Sequence, residues 1–210
     1  MNFKNIKSFF LSREKRALLF LFAGASLNVS YATYELLISI KYSDFWSGAV
    51  AIYYIFLSSV KILLLKGEKR LSQLSNSFTF KNEGRKIYVF SGILLFSLNI
   101  IMIIIVVGII FFGSKSREHT QIIIAAIYAL FRVIIALKDI FYYRNTHNYI
   151  ISAAKTISLS VALVALFSLQ SSMLTALMVE NSIAIKINII SALAMLISEF
   201  SISVYMVAHK

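Results

Sequence analysis

The stretch TQIIIAAIYALFRVIIALKDIF, residues 120–141, decides the fold. It is long enough to cross the roughly 30 Å of a bilayer's hydrocarbon, which takes about 20 residues as a helix, and it is uncharged apart from Arg132 in its middle and Lys138 and Asp139 at its end. A charged group at that depth costs about 2.5–3.5 kcal/mol on insertion scales, so Arg132 is expected to face a bundle interior, a partner or a water-filled path.

Five more stretches of the same kind flank it. Hydropathy places spans at 17–40, 45–65, 87–112, 120–141, 149–177 and 184–207. The whole chain has 59% hydrophobic residues and a mean hydropathy of +0.81, which fits a bilayer as its solvent and leaves no room for a separate soluble domain. The expected fold class is all-α: a polytopic membrane protein with a bundle of six transmembrane helices in one domain, residues 1–210. A basic segment precedes the first span at 1–16, and the one substantial loop is read at 66–86. A leader peptide cleaved after Ala23-Gly24-Ala25 is a competing reading of the first stretch. The apolar run continues to Ile40, which suits a retained span better.

Basic residues set the expected orientation. Fourteen lie at the N-terminal segment, the 66–86 loop, the end of the fourth span and the C-terminus, against Lys41, Lys115, Arg117 and Lys186 on the opposite side. By the positive-inside rule both termini are expected to be cytoplasmic, in a multi-pass protein of the cell membrane. The net charge of +12 then reads as a collar attracted to anionic headgroups of the bilayer rather than as a nucleic-acid surface. Phe3, Ile6, Phe9 and Phe10, interleaved with Lys4 and Lys7, read equally as a short interfacial helix or as a frayed tail.

YATYELLISIK at 31–41 aligns with YALFRVIIALK at 128–138, with four of eleven positions identical. Read as a duplication, the halves are 17–112 and 119–208, and three spans per copy make the second inverted, as in many secondary transporters. Read as coincidence, it is the kind of match that apolar sequence produces easily. The pairing would set Glu35 opposite Arg132 at equivalent positions, in the outer and inner parts of their spans.

Helical spacing gathers the polar and small residues into stripes: Gly24, Asn28, Tyr31, Glu35 and Ser39 in the first span; Ser47, Ala51, Tyr54, Ser58 and Lys61 in the second; Gln121, Ala125, Tyr128, Arg132, Ala136 and Asp139 in the fourth; Asn188, Ala192, Met195, Glu199 and Ser203 in the sixth. The fifth span, dense in Ser and Ala, is expected to be the central packing helix, and the third to see the most lipid. Lys155, Arg132 and Glu199 are expected to form a cluster in the cytoplasmic half, and Lys61 to snorkel. The candidate substrate or ion path is therefore Glu35, Arg132, Lys155, Glu199, Asn28, Tyr31 and Tyr128. Its functional reading is a substrate- or proton-responsive site with Glu199 or Glu35 as the titrating carboxylate. The structural reading is a charge network that fixes helix register. Both stand on the sequence.

Catalytic chemistry finds little support. The chain has no cysteine; His119, His147 and His209 lie at span ends; no span carries carboxylates spaced to hold a metal; and Ser152 with Lys155 is a weak match to a serine–lysine dyad. No catalytic residue, metal or cofactor is expected, and an enzyme is not.

FWSGAVAIYY at 45–54, SAAKTISL at 152–159 and LQSSMLT at 169–175 resemble a family of uncharacterised bacterial six-span membrane proteins, a resemblance covering most of the chain that implies architecture and no activity. Asn28, Ala32, Leu36 and the turn at 41–45 are similar to the first two spans of cation diffusion facilitators, but residues 51–60 (AIYYIFLSSV) lack the carboxylate and histidine that bind metal there. The expected function is a small secondary transporter or permease of unknown substrate. The alternative is a non-catalytic membrane subunit or scaffold that binds a partner protein or lipid, and a homo-oligomer or a partner subunit is compatible with either.

Overall fold

The computed structural model describes residues 13–71, 77–112, 118–142, 148–177 and 181–208. These are helical almost throughout: α1 (Arg13–Tyr42), α2 (Phe45–Leu71), α3 (Ser77–Phe112), α4 (His119–Tyr142), α5 (Tyr149–Ala176) and α6 (Asn181–Ala208), with no strand among the described residues. Five of them, α2 to α6, contain segments long and apolar enough to cross a membrane. The expected interfacial helix at Phe3 to Phe10, and the centres of the connections after α2, α3, α4 and α5, lie outside the described residues.

The helices outrun the apolar segments. Most of the polar loop expected at 66–86 is helix instead: α2 carries Lys66, Glu68, Lys69 and Arg70 in its last turns, and α3 begins at Ser77 and passes through Glu83 and Lys86 before turning apolar. Hydropathy reports where hydrocarbon ends, whereas helix continues while residues such as Leu, Lys, Glu and Arg favour it and no proline stops it.

Short side-chain caps fix the ends. Ser43 takes the left-handed conformation (φ 50°) that closes α1, and the Asp44 amide donates back to the Ser39 carbonyl at 3.1 Å. The Asp44 carboxylate then starts α2 by accepting from the Ser47 amide at 3.1 Å and the Ser47 hydroxyl at 2.6 Å. Asn148 does the same for α5, its Oδ1 accepting from the Ile150 amide at 2.9 Å.

Three close pairs make up the bundle: α1 with α2, α4 with α5, and α3 with α6. Helix α5 touches all five others, as its small residues predict, and buries Ala153, Ile157, Val161, Ala165 and Ser168. Trp46 packs edge-on against Phe167, with Leu57, Leu64, Leu98 and Met102 completing the apolar core. Outward faces are apolar too: Ile127, Leu130 and Ile134 on α4, and Ile190, Leu193 and Ile197 on α6, are exposed. Such a belt is compatible with helices that cross a membrane.

The expectation that the third span sees the most lipid is corrected. Only 22% of the apolar window of α6 is buried, against 41% for α3. Gly92 lets α6 lie close, since a Cβ there would come within 2.8 Å of the Met206 Cβ, and Asn99 donates to the Leu196 carbonyl at 3.1 Å. Helix α3 thus spends one face on α6 and others on α2 and α5.

Candidate functional site

The four polar stripes end up inside. Asn28 and Glu35 of α1, Ser47, Ala51, Tyr54 and Lys61 of α2, Ala125, Arg132 and Ala136 of α4, and Ala192, Glu199 and Ser203 of α6 are all buried. Helix α4 packs its backbone on α5 and reaches α1 and α2 mainly through long side chains, so α1, α2 and α4 enclose a polar and aromatic compartment.

At its middle three tyrosines meet. The rings of Tyr31 (α1) and Tyr128 (α4) are stacked, with centroids 3.7 Å apart and planes 2° from parallel, and Tyr54 (α2) stands edge-on to both at 5.2 and 5.5 Å. The Tyr128 hydroxyl donates to Asn28 Oδ1 at 3.2 Å, which orients the amide and leaves Asn28 Nδ2, buried, with no partner among the described residues.

Because α1 and α4 run antiparallel, charges segregate on either side of this stack. Towards the end of α1 lies Glu35, fully buried and within electrostatic reach of Tyr128. Near that end of the bundle Tyr42 donates to Glu118 at 2.6 Å. Towards the start of α1 lie Arg132, Lys61 and Asp139, and beyond them the Lys138 ammonium sits over the Phe20 ring, 2.9 Å from its centroid.

Gly24 marks the meeting point of the two buried cations. A Cβ there would lie 3.1 Å from Lys61 Nζ and 3.7 Å from Arg132 Nη1, so the two heads are within about 7 Å of each other, the sum of those separations. Both residues are 1% exposed. Asp139 acts electrostatically on both, with Ser158 of α5 beside it, yet neither cation is within ion-pair distance of a carboxylate among the described residues. Arg132 Nε, Nη1 and Nη2 are all buried with no hydrogen-bond partner among the described residues, and the Tyr128 ring lies 5.8 Å from Cζ. One Asp139 oxygen is likewise buried and unbonded among them.

The candidate residues therefore fall into three places. Asn28, Tyr31, Tyr128 and Arg132 share the compartment, with Glu35 on the far side of the stack. Glu199 sits apart, 4% exposed, accepting from the Tyr53 hydroxyl at 3.0 Å. Lys155, half-buried, lines a groove of about 370 Å³ with Ile140, Thr156, Leu159, Ser201 and Tyr205 on the outer side of α4, α5 and α6. The expected Lys155, Arg132 and Glu199 cluster is corrected: Glu199 meets Tyr53, Arg132 meets Tyr128 and the Gly24 position, and Lys155 lines the groove of α4, α5 and α6. The expectation that Lys61 snorkels is corrected as well, because its ammonium turns inward to Gly24. Lys61, Tyr54 and Asp139 lay on the inward stripes and were legible there as lining; Tyr53 lay off the stripe, and its neighbour Tyr54 was the one signal. No model of a known protein family and no curated protein matches the chain.

Proposed function

We propose that the chain is a small secondary transporter or permease of the bacterial cytoplasmic membrane, whose solute path runs through the compartment between α1, α2 and α4, closed behind by α5. In this reading all six helices span the bilayer, and both termini lie on the cytoplasmic side by the asymmetry of basic residues. The observation that carries it is Arg132, a permanent cation buried in the bundle with three unbonded nitrogens. An ionisable group inside a membrane protein marks substrate and ion pathways, and one kept only for register is usually fully bonded.

A three-plus-three inverted repeat fits the helix pairing, in which α1–α2 answers α4–α5 and α2–α3 answers α5–α6, while α3 meets its counterpart α6. The repeat would make Tyr31 and Tyr128 equivalent, and a pseudo-twofold axis between the rings and parallel to their planes is consistent with planes 2° from parallel.

Reconstitution tests the reading. Purified protein in sealed vesicles with an imposed proton gradient and an internal pH dye, challenged with a panel of small charged and neutral solutes, is expected to give a solute-dependent flux. Arg132→Ala should abolish the flux, and Glu35→Gln or Glu199→Gln should uncouple it from the gradient if either carboxylate carries the proton. Folded wild-type protein that moves nothing in any gradient would sink the transport reading and favour the partner-binding alternative.

A further inference from the structure

We infer that the compartment around Arg132 is an oxyanion site, recognising a carboxylate or phosphate group on a small solute. The inference deepens the transport reading and rests on it for the purpose of binding. Binding itself is measured without flux, so the two can fail separately.

The argument is one of chemical complement. The unbonded groups here are mostly donors: Arg132 Nε, Nη1 and Nη2 and Asn28 Nδ2, with one Asp139 oxygen as an acceptor beside them. The one acceptor of the Asn28 amide already takes the Tyr128 hydroxyl, which fixes the amide with its donor end free. Lys61 Nζ adds a further donor head, held beside Arg132 at Gly24. Asp139 acts on both electrostatically, and Glu35 lies beyond the tyrosine stack. A cationic solute meets the repulsion of the guanidinium here, and a neutral one leaves that permanent charge unpaired. An oxyanion accepts from both heads at once. The planar guanidinium prefers a carboxylate or phosphate over a spherical halide because two parallel N–H donors match two oxygens.

Gly24 supplies the second line of argument. Glycine within a helix costs about 1 kcal/mol relative to alanine, so its presence beside the two cations needs a reason. A methyl group there would press on Lys61 Nζ at 3.1 Å and narrow the approach to Arg132 Nη1. The small residue keeps room for both heads to converge on one guest.

The test uses the purified full-length chain in detergent at constant ionic strength, titrated with sodium formate, acetate, phosphate or chloride, and followed by thermal shift and calorimetry. A saturable stabilisation by formate and acetate, or by phosphate, beyond that of chloride is expected, and whichever saturates identifies the source of the oxyanion. Arg132→Lys, which keeps the charge and loses the fork, should weaken binding on the order of tenfold. Gly24→Ala should weaken it as well, and provides the readout if Arg132→Lys does not fold. Lys86→Gln, on the exposed Lys86–Glu83 pair, should bind as wild type. Equal responses to all four salts, or unaltered binding in both Arg132→Lys and Gly24→Ala, would overturn the proposal. Oxyanion binding without flux of any solute would leave the site standing and remove the transport reading, whereas flux of cations alone with no oxyanion binding would do the reverse.

Discussion

Replacing Tyr53 by phenylalanine tests how much of the bundle depends on one buried polar contact. The Tyr53 hydroxyl donates to Glu199 Oε1 at 3.0 Å, and the two helices it joins, α2 and α6, otherwise pack little against each other. Hydrogen bonds to charged groups contribute about 1.5–3 kcal/mol, and a stranded buried acceptor costs about 1–3 kcal/mol. A strong hydroxyl–carboxylate bond is shorter, about 2.5–2.7 Å, so the 3.0 Å separation places this one near the lower limit, about 1.5 kcal/mol. For a chain of this size that corresponds to a fall in Tm of roughly 3–6 °C. Glu199→Gln keeps an acceptor for the hydroxyl and should cost less, and the double variant should recover a coupling of about 1 kcal/mol. The chain has no cysteine for a thiol dye, but its single tryptophan, Trp46, is 2% exposed in the core and reports unfolding by fluorescence. Strict additivity of the two single variants, within about 0.3 kcal/mol, would refute the reasoning, because residues in contact should couple.

Two further outcomes follow from helix ends and helix contacts. Gly92→Ala should destabilise the chain by about 1 kcal/mol: overpacking costs about 1–3 kcal/mol, and the helix propensity of alanine returns about 1 kcal/mol. The Met206 Cβ at 2.8 Å and the Ser203 carbonyl at 3.4 Å are not flexible chain ends, so the same fluorescence assay should show a lowered Tm. Asp44→Ala removes the acceptor of two hydrogen bonds at the start of α2 and should cost about 1 kcal/mol, whereas Asp44→Asn should cost much less.

The sequence made the burial of each stripe legible but not the partner each stripe would meet. Spacing of three and four put Arg132 on the inward face of α4, and it is buried there. The same spacing cannot say whether that face looks at α5 and α6 or at α1 and α2, which depends on how whole helices are arranged. Depth along the spans puts Lys155 and Arg132 together in the sequence, whereas the structure gives Arg132 to Tyr128 and the Gly24 position and Lys155 to the groove of α4, α5 and α6. Lys61 posed a different ambiguity: a lysine near the end of a span satisfies the inward stripe and the snorkelling rule equally well, and only a neighbour lacking a side chain, Gly24, drew its head inward. In the 66–86 segment polarity marks the end of the apolar run and not the end of helix, so a loop expected from hydropathy is largely helical. The Tyr31–Tyr128 stack was foreshadowed by the aligned segments 31–41 and 128–138, although a sequence match carries no information about two rings lying face to face.

Two kinds of joint hold the first and fourth helices in place, and they differ in what they permit. The α1–α2 hairpin is fastened by the Ser43–Asp44 turn, where the Ser39 hydroxyl donates to the Asp44 carbonyl at 2.9 Å and leaves little freedom to bend. Between α1 and α4, by contrast, the joint is made by side-chain tips: the parallel Tyr31 and Tyr128 rings, the Tyr128–Asn28 hydrogen bond and, at the other end, the Tyr42–Glu118 hydrogen bond. Stacked faces set the spacing of the two helices and leave their offset open, since offset stacking is itself favourable. The two hydrogen bonds then pin that offset, so the register of α1 against α4 is written in a few polar atoms rather than in packed backbone.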